Sequence, residues 1–232
     1  MSIKGKFPID KWSFRSESIL KDLPAADLAL LMANREERVY EKNDIIFKEG
    51  AYPSGIYYIT EGKVKKYKKD DSGREQIIYL ANTGQLIGYH AILSEGRYPD
   101  SAAAMEESRL AFIPREDFLN VLHTSPVLNS RLLKTLSQEF AVLVNSISVF
   151  AQKTARERLA LQLILLREKY KVEGIATEIN ISRDDLAAMV GTARENVVRL
   201  LTEFKEAKIL ETKGSKIRIH DIGQLIAIAG HK

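Results

Sequence analysis

The chain of 232 residues contains no cysteine. Its absence excludes thiolate-held iron–sulfur clusters and cysteine-based zinc sites, and agrees with a reducing compartment. Histidine is scarce as well. His90, His123, His220 and His231 stand far apart, with no pair at the i, i+4 spacing of a helical metal site, so no metal is expected. No apolar run approaches the roughly 20 residues that span a bilayer. The opening "MSIKGKFPIDKW" has lysines but neither an apolar core nor a small-residue cleavage site, so a cytoplasmic protein with no membrane partner is expected. No P-loop, Ser/His/Asp order or paired-acid constellation stands out, which argues against an enzyme.

What is present is a globular composition, 45% hydrophobic and 28% charged, in a length that suits two domains. The charge is unevenly divided. Residues 1–151 carry 20 basic and 20 acidic side chains and residues 152–232 carry 15 and 11, so the whole net +4 lies in the second segment. A basic segment joined to a neutral one suits a polyanionic partner.

After a polar arm ending near Leu20, "DLPAADLALLMANRE" has the apolar spacing of a short helix opened by Pro24. From Arg38 the period changes. "RVYEKNDIIF", "GIYYITEGKVKKYKK", "REQIIYLANTGQLIGYHAIL" and "SAAAMEESRLAFIPRE" are short, rich in Ile, Tyr and Val, and bounded by Gly, Asn, Asp and Pro, the pattern of an antiparallel barrel or sandwich. The lysines between 63 and 69 alternate with Val64 and Tyr67 and read as the solvated face of a strand.

Beyond Pro114 the pattern turns helical. Leu133, Leu136, Phe140, Leu143, Ile147 and Phe150 follow the 3, 4, 3, 4, 3 spacing of a heptad seam, and Lys134 and Glu139 are the sole charges between residues 132 and 152. One face of such a helix can pack on the barrel while the seam meets a second copy, so a homodimer is expected. "TARERLALQLILLREKY" reads as a further helix and "KVEGIATEIN" as a polar connector. Then comes "ISRDDLAAMVGTARENVVRLLTEFKEAKILETKGSKIRIHD". Ser182 and Asp185 are placed to open one helix, Gly191 to end it, and Thr192 with Glu195 to form a capping box for the next. Ala187 stands four residues before Gly191, and Leu186, Val190, Val197, Leu200 and Leu201 take the inward positions. Two helices joined by a tight glycine turn make a helix-turn-helix, and the hairpin turning at Gly214 adds a wing. The second helix enters a major groove by its N-terminal turn. There Arg194 and Arg199 can bridge O6 and N7 of guanine, and Glu195 can either accept from cytosine N4 or serve its own cap.

These residues resemble the CRP/FNR family of bacterial transcription regulators, whose recognition helix carries R-E-x-x-x-R, here Arg194, Glu195 and Arg199. "FKEGAYPSGIYYITEGKVKKY" is similar to the first hairpins of that family's cyclic-nucleotide-binding β-roll, and the heptad helix to its dimerisation helix. The resemblance implies an α+β chain: an N-terminal antiparallel β-roll (a jelly roll) over 1–120, a dimerisation helix over 121–152 and a winged helix-turn-helix over 153–232. It also implies phosphate contacts from Ser182, Arg183, Lys213 and Lys216, with Thr192 and Asn196 flanking the base-reading residues. Double-stranded DNA with TGTGA-like inverted repeats and RNA polymerase are the implied partners. Ala193 stands where the family often has a serine.

The sensor half departs from the pattern. Where cyclic-AMP-binding members have F-G-E-L and then R-S, this chain has "IGYH" and "DSA", so Tyr89 replaces the ribose-binding acid and Asp100 the phosphate-binding arginine. A carboxylate facing a phosphate in a low-dielectric pocket is repulsive, which argues against cyclic AMP, with Arg97 the one nearby substitute. A lone histidine is more often a packed residue than a haem ligand, which argues against haem. The reading left is another effector, contacted by Tyr89, His90, Arg97, Asp100 and Ser101, or none. The alternative to a DNA-binding regulator is a nucleotide-binding regulatory subunit acting on a protein partner, as β-roll domains do in kinases and channels.

Overall fold

The computed structural model describes residues 3, 7–12, 14, 16–170 and 178–230. The chain divides into two compact units, Phe14–Phe140 and Ala141–Lys232, the second including the N-terminal segment up to Ser13.

The first unit opens with α1 (Ala25–Leu31), which starts at Pro24 as its spacing predicts. Eight strands follow: β1 (Glu36–Tyr40), β2 (Ile45–Phe47), β3 (Gly55–Glu61), β4 (Lys63–Lys69), β5 (Glu75–Asn82), β6 (Leu86–Ile87), β7 (Ser101–Ala104) and β8 (Ser108–Pro114), with α2 (Tyr89–Leu93) between β6 and β7. They form two four-stranded antiparallel sheets, ordered β1-β8-β3-β6 and β2-β7-β4-β5, the double-sheeted roll expected from the short strands. Alternate residues of both sheets face inward, so Phe47, Tyr57, Ile59, Val64, Tyr79, Ala81, Ala102, Leu110 and Phe112 build one core. A second core lies where α3 (Arg115–Thr124) and the start of α4 (Pro126–Gln152) pack on the roll through Phe118, Val121, Leu128 and Leu132.

The lysine strand differs from expectation. Its ladder with β5 shifts register between Lys66 and Tyr67, a bulge that breaks strict alternation. Before the bulge Lys66 alternates with Val64 and so shares a face with its ladder partners Ala102 and Tyr79 in the core. Lys65, on the opposite face, is buried against Glu75 at 2.7 Å. Of these lysines only Lys68 and Lys69 are exposed, so this is not a uniformly solvated stripe.

The second unit holds α5 (Ala155–Lys169), α6 (Arg183–Val190), α7 (Arg194–Glu206) and α8 (Ile222–Ile228) with a small antiparallel sheet, β10 (Leu210–Lys213), β11 (Lys216–Ile219) and β9 (Glu178–Asn180) in that spatial order. Thr154 and Glu157 form a complete capping box at the start of α5. Of the polar connector, residues 171–177 lie outside the described residues and the last three form β9, a strand not apparent from so short a segment. Leu161, Ile164, Leu186, Val190, Val197, Leu200, Leu201 and Phe204 are buried, as the helical periodicity places them.

Helix α4 carries the heptad seam, and its sparse charge has a structural counterpart. Leu133, Phe140, Leu143, Ile147 and Phe150 are exposed, Phe140 and Ile147 at 69%, while Leu136 is half-buried against the second core. The adjoining side, about 100° round the helix at 100° per residue, buries Leu128, Leu132, Val142 and Val149. The helix is thus apolar on two sides, one of them uncovered in the single chain.

Candidate nucleic-acid interface

Helix α6 begins where Ser182 accepts a hydrogen bond from the Asp185 amide at 2.9 Å, and the Ser182 hydroxyl donates to the Asp185 carboxylate at 2.6 Å. It ends at Gly191, whose φ of 68° is a left-handed conformation that a β-carbon disfavours. The amides of Gly191 and Thr192 both bond back to the Ala187 carbonyl, closing the turn in two residues.

The next helix does not start as the sequence suggests. Its N-cap is Ala193, without a side-chain cap, and the proposed Thr192–Glu195 box is not formed. The physical reason is register: with α6 closing at Gly191 and α7 opening at Arg194, Thr192 sits one residue before the cap, and its hydroxyl accepts from the Asn196 side-chain Nδ2 at 2.9 Å. Glu195 is left exposed, without a hydrogen-bond or ion-pair partner among the described residues. The capping role competing with base contact is thereby removed.

Helix α7 is sharply two-sided. Val197, Leu200, Leu201 and Phe204 are buried, and Arg194, Glu195, Val198 and Arg199 are exposed within an arc of about 140° at 100° per residue. Arg194 is 57% exposed and pairs loosely with Asp184 at 3.4 Å. Arg199 donates to the Asn196 side-chain oxygen at 2.7 Å and pairs with Glu203, which holds its guanidinium along the helix. Val198, missed in the sequence reading, sits between the two arginines on that arc, as an apolar group able to meet a thymine methyl.

The wing is fastened to this frame. Arg183 donates from Nη2 to the Gly214 carbonyl at 2.7 Å, its Nη1 is buried without a partner among the described residues, and burial lowers its pKa from the ordinary arginine value. Gly214 turns the hairpin with φ 58°, and the paired Lys213 and Lys216 flank it. Lys216 also meets Glu178 at 2.6 Å, and that ammonium holds the Glu178 carboxyl below its usual pKa. Lys213 and Lys216 are both exposed.

A second residue missed in the sequence reading is Arg158 of α5. Its guanidinium donates to the carbonyls of Val190 at 2.7 Å, Gly191 at 3.1 Å and Lys153 at 2.7 Å, tying off the end of α6 at the turn. Arg158→Met should lower the stability of the second unit by about 2–4 kcal/mol, since charge-assisted bonds to carbonyls are lost together. Calorimetry that found an unchanged unfolding temperature would show the clasp to be idle.

The five effector candidates are not brought to one place. Tyr89 is buried and donates to Glu139 of α4 at 2.8 Å, and His90 Nε2 meets the other oxygen of the same carboxylate at 2.7 Å. Burial, and then the Glu139 charge, push the Tyr89 phenol up, so it stays a donor. Arg97 donates to the Gly50 carbonyl at 2.7 Å and lies over the Tyr52 ring, while Ser101 accepts from the Glu49 amide at 3.0 Å. Asp100 is buried and pairs with Lys66 at 3.0 Å; its Oδ1 has no hydrogen-bond partner among the described residues. Phe47 stacks on Tyr98, and Tyr57 packs beside Phe112, filling the roll's interior with rings. Where the family resemblance implies a phosphate-binding arginine, this chain presents a carboxylate whose cation is already paired, and these residues do not fit a cyclic phosphate.

Fold and site together define a winged helix-turn-helix DNA-binding protein joined to a β-roll. Residues 37–125 match the cyclic nucleotide-binding domain and residues 157–228 the Crp-like helix-turn-helix domain. The chain is 30% identical over 194 residues to the fumarate and nitrate reduction regulatory protein of Salmonella typhimurium, covering 82% of this chain and 77% of the relative. It is 28% identical over 214 residues to the transcriptional activator protein Anr of Pseudomonas protegens, covering 91% and 86%. A solved CRP/FNR-family transcriptional regulator from Thermus thermophilus superposes with a TM-score of 0.70 at 25% identity, covering 84% of this chain and 98% of that one. The chain belongs to the CRP/FNR family of transcription regulators, DNA-binding proteins rather than enzymes.

Proposed function

We propose that the chain acts as a cytoplasmic homodimer that reads an inverted repeat of TGTGA-like half-sites and controls transcription through RNA polymerase, without cyclic AMP as its effector. The observation that carries this reading is the exposed first turn of α7, where Arg194, Glu195 and Arg199 share one arc over a buried apolar face. Arg194 and Arg199 take guanine, Glu195 takes cytosine, and Ser182, Arg183, Lys213 and Lys216 fix the register on phosphates, with Thr192 and Asn196 beside the reading face. The uncovered seam of α4 supports two copies, which place two reading helices about 34 Å apart in successive major grooves. On this reading residues 1–120 sense, 121–152 dimerise and 153–232 bind DNA. The Lys66–Asp100 pair supports control by an effector other than cyclic AMP, or by none. A regulatory subunit acting on a protein partner is not favoured, since it leaves the winged helix without a role.

The test is a fluorescence-anisotropy titration against a TGTGA inverted-repeat duplex and a scrambled control at fixed salt, with and without cyclic AMP. Tight specific binding that ignores the nucleotide is expected. Specific binding that appears only with cyclic AMP refutes the assignment of Asp100.

A further inference from the structure

Helix α7 carries two consecutive valines with opposite fates. Val197 is fully buried and anchors the helix to its frame, whereas Val198 is 43% exposed on the arc that carries Arg194, Glu195 and Arg199. A lone exposed valine on an ordinary surface calls for no explanation. Here it is the one apolar side chain of that arc among the described residues, and a β-branched residue at an exposed helical position weakens the helix relative to alanine.

Its neighbours leave it uncovered. Arg194 pairs with Asp184 at 3.4 Å, toward α6, and Arg199 is drawn round the helix to Asn196 and Glu203. Thr202, one turn further on, donates its hydroxyl to the Val198 carbonyl at 3.1 Å, so that donor is spent on the helix backbone. Branching at Cβ holds a helical valine in one dominant rotamer, so the two methyls of Val198 are fixed before any ligand arrives. The result is a small, rigid apolar surface between two guanidinium groups.

The spacing along the helix fixes what that surface meets. At about 1.5 Å per residue Arg194 and Arg199 stand about 7.5 Å apart along the axis, close to two base-pair steps of about 3.4 Å. With the helix lying in the groove, two guanines read by these arginines leave one base pair between them. Val198 falls between the arginines both along the axis and within the arc, over that pair. The one methyl group that an unmodified base pair presents in the major groove is the C5-methyl of thymine.

We propose that Val198 is a specificity-determining residue that reads the C5-methyl group of the base between the two guanines, which makes DNA recognition by this chain sensitive to pyrimidine methylation at that position. The inference rests on the reading of α7 as the base-reading helix. In a TGTGA-like half-site the base concerned is the thymine flanked by guanines.

The experiment uses the operator that the full-length protein selects from random duplexes at fixed salt, and reads affinity by fluorescence anisotropy. Three replacements are made at the thymine between the guanines: deoxyuridine, which removes the methyl alone, cytosine paired with guanine, and 5-methylcytosine paired with guanine. The unaltered chain is compared with Val198→Ala, which keeps its fold because the position is exposed and alanine is the better helix former. Deoxyuridine should weaken the unaltered chain about fourfold per half-site, the effect of one buried methyl(ene), and roughly fifteenfold when both half-sites are changed. By the same measure 5-methylcytosine should bind about fourfold more tightly per half-site than cytosine. Val198→Ala should lose most of both effects and keep its preference for the two guanines. Equal affinity of the unaltered chain for thymine and deoxyuridine, an equal loss in both proteins, or a methyl effect confined to another thymine overturns the assignment. So does a selected operator with no thymine between its guanines. Failure to select any sequence refutes the DNA reading and this inference with it, whereas a selected operator without a Val198-dependent methyl effect refutes this inference alone.

Discussion

Phe140→Glu and Ile147→Glu are each expected to leave a folded chain that sediments as a monomer and binds the operator at least a hundredfold more weakly. Both positions are 69% exposed in the single chain, so neither substitution disturbs a core. In a two-fold interface each change appears twice, and an unpaired carboxylate held in an apolar contact costs several kcal/mol, of which about 3 already exceeds a hundredfold. A monomer reaches one half-site and loses the gain from linking two. Circular dichroism confirms folding and sedimentation equilibrium reads the mass. Variants that remain dimeric at micromolar concentration would place the interface elsewhere than Leu133, Phe140, Leu143, Ile147 and Phe150.

Arg194→Ala should remove discrimination at one guanine in each half-site, about 1–3 kcal/mol per site and roughly additive across the two. The loose pair with Asp184 does not offset this, because exposed pairs at such distances contribute about 0–1 kcal/mol. Lys213→Ala provides the contrast. It should weaken all duplexes alike and lower the salt slope by about one per copy, as loss of a phosphate contact does. A base-by-base substitution series in the operator separates the two patterns. If both variants lost affinity uniformly, α7 would not be reading bases.

The winged helix was legible in the sequence because its signals are local. The 3.6-residue spacing that buries Val197, Leu200 and Leu201 leaves Arg194, Glu195 and Arg199 facing outward, and Gly191 marks a left-handed residue wherever the helix stops. The capping box failed at the same place because a cap depends on which residue has extended backbone. Here that is Ala193, one position after the threonine.

What was not legible depends on distant partners. Glu139 is some fifty positions beyond Tyr89 and His90, and nothing in the local pattern shows that all three meet. The same holds for Arg158, which reads as one more charge on α5 until its guanidinium is seen on the carbonyls of Val190 and Gly191. Lys66 was misplaced because Tyr67 was paired with Val64 as an inward residue: plain alternation from Val64 turns Lys66 inward, and the bulge after Lys66 is what lets Tyr67 be buried as well. Asp100 was read as repulsive toward a phosphate, and the sequence alone did not reveal that Lys66 already neutralises it.

The Glu139 arrangement links roll and helix chemically. Tyr89 and His90, at the start of α2, share both oxygens of one buried carboxylate on α4. A movement of α2 therefore strains its contact with the helix that carries the seam.

Whether two copies of this chain together read a symmetric DNA sequence is decided by selection from a pool of random duplexes. Full-length protein is incubated at fixed near-physiological salt without cyclic nucleotide, and the bound DNA is sequenced after several rounds. An inverted repeat should be enriched, its half-sites centred about one helical turn apart, with a guanine in each that is lost when Arg194→Ala is used instead. Enrichment of a single unsymmetrical site, or of none, would contradict symmetric reading by two copies.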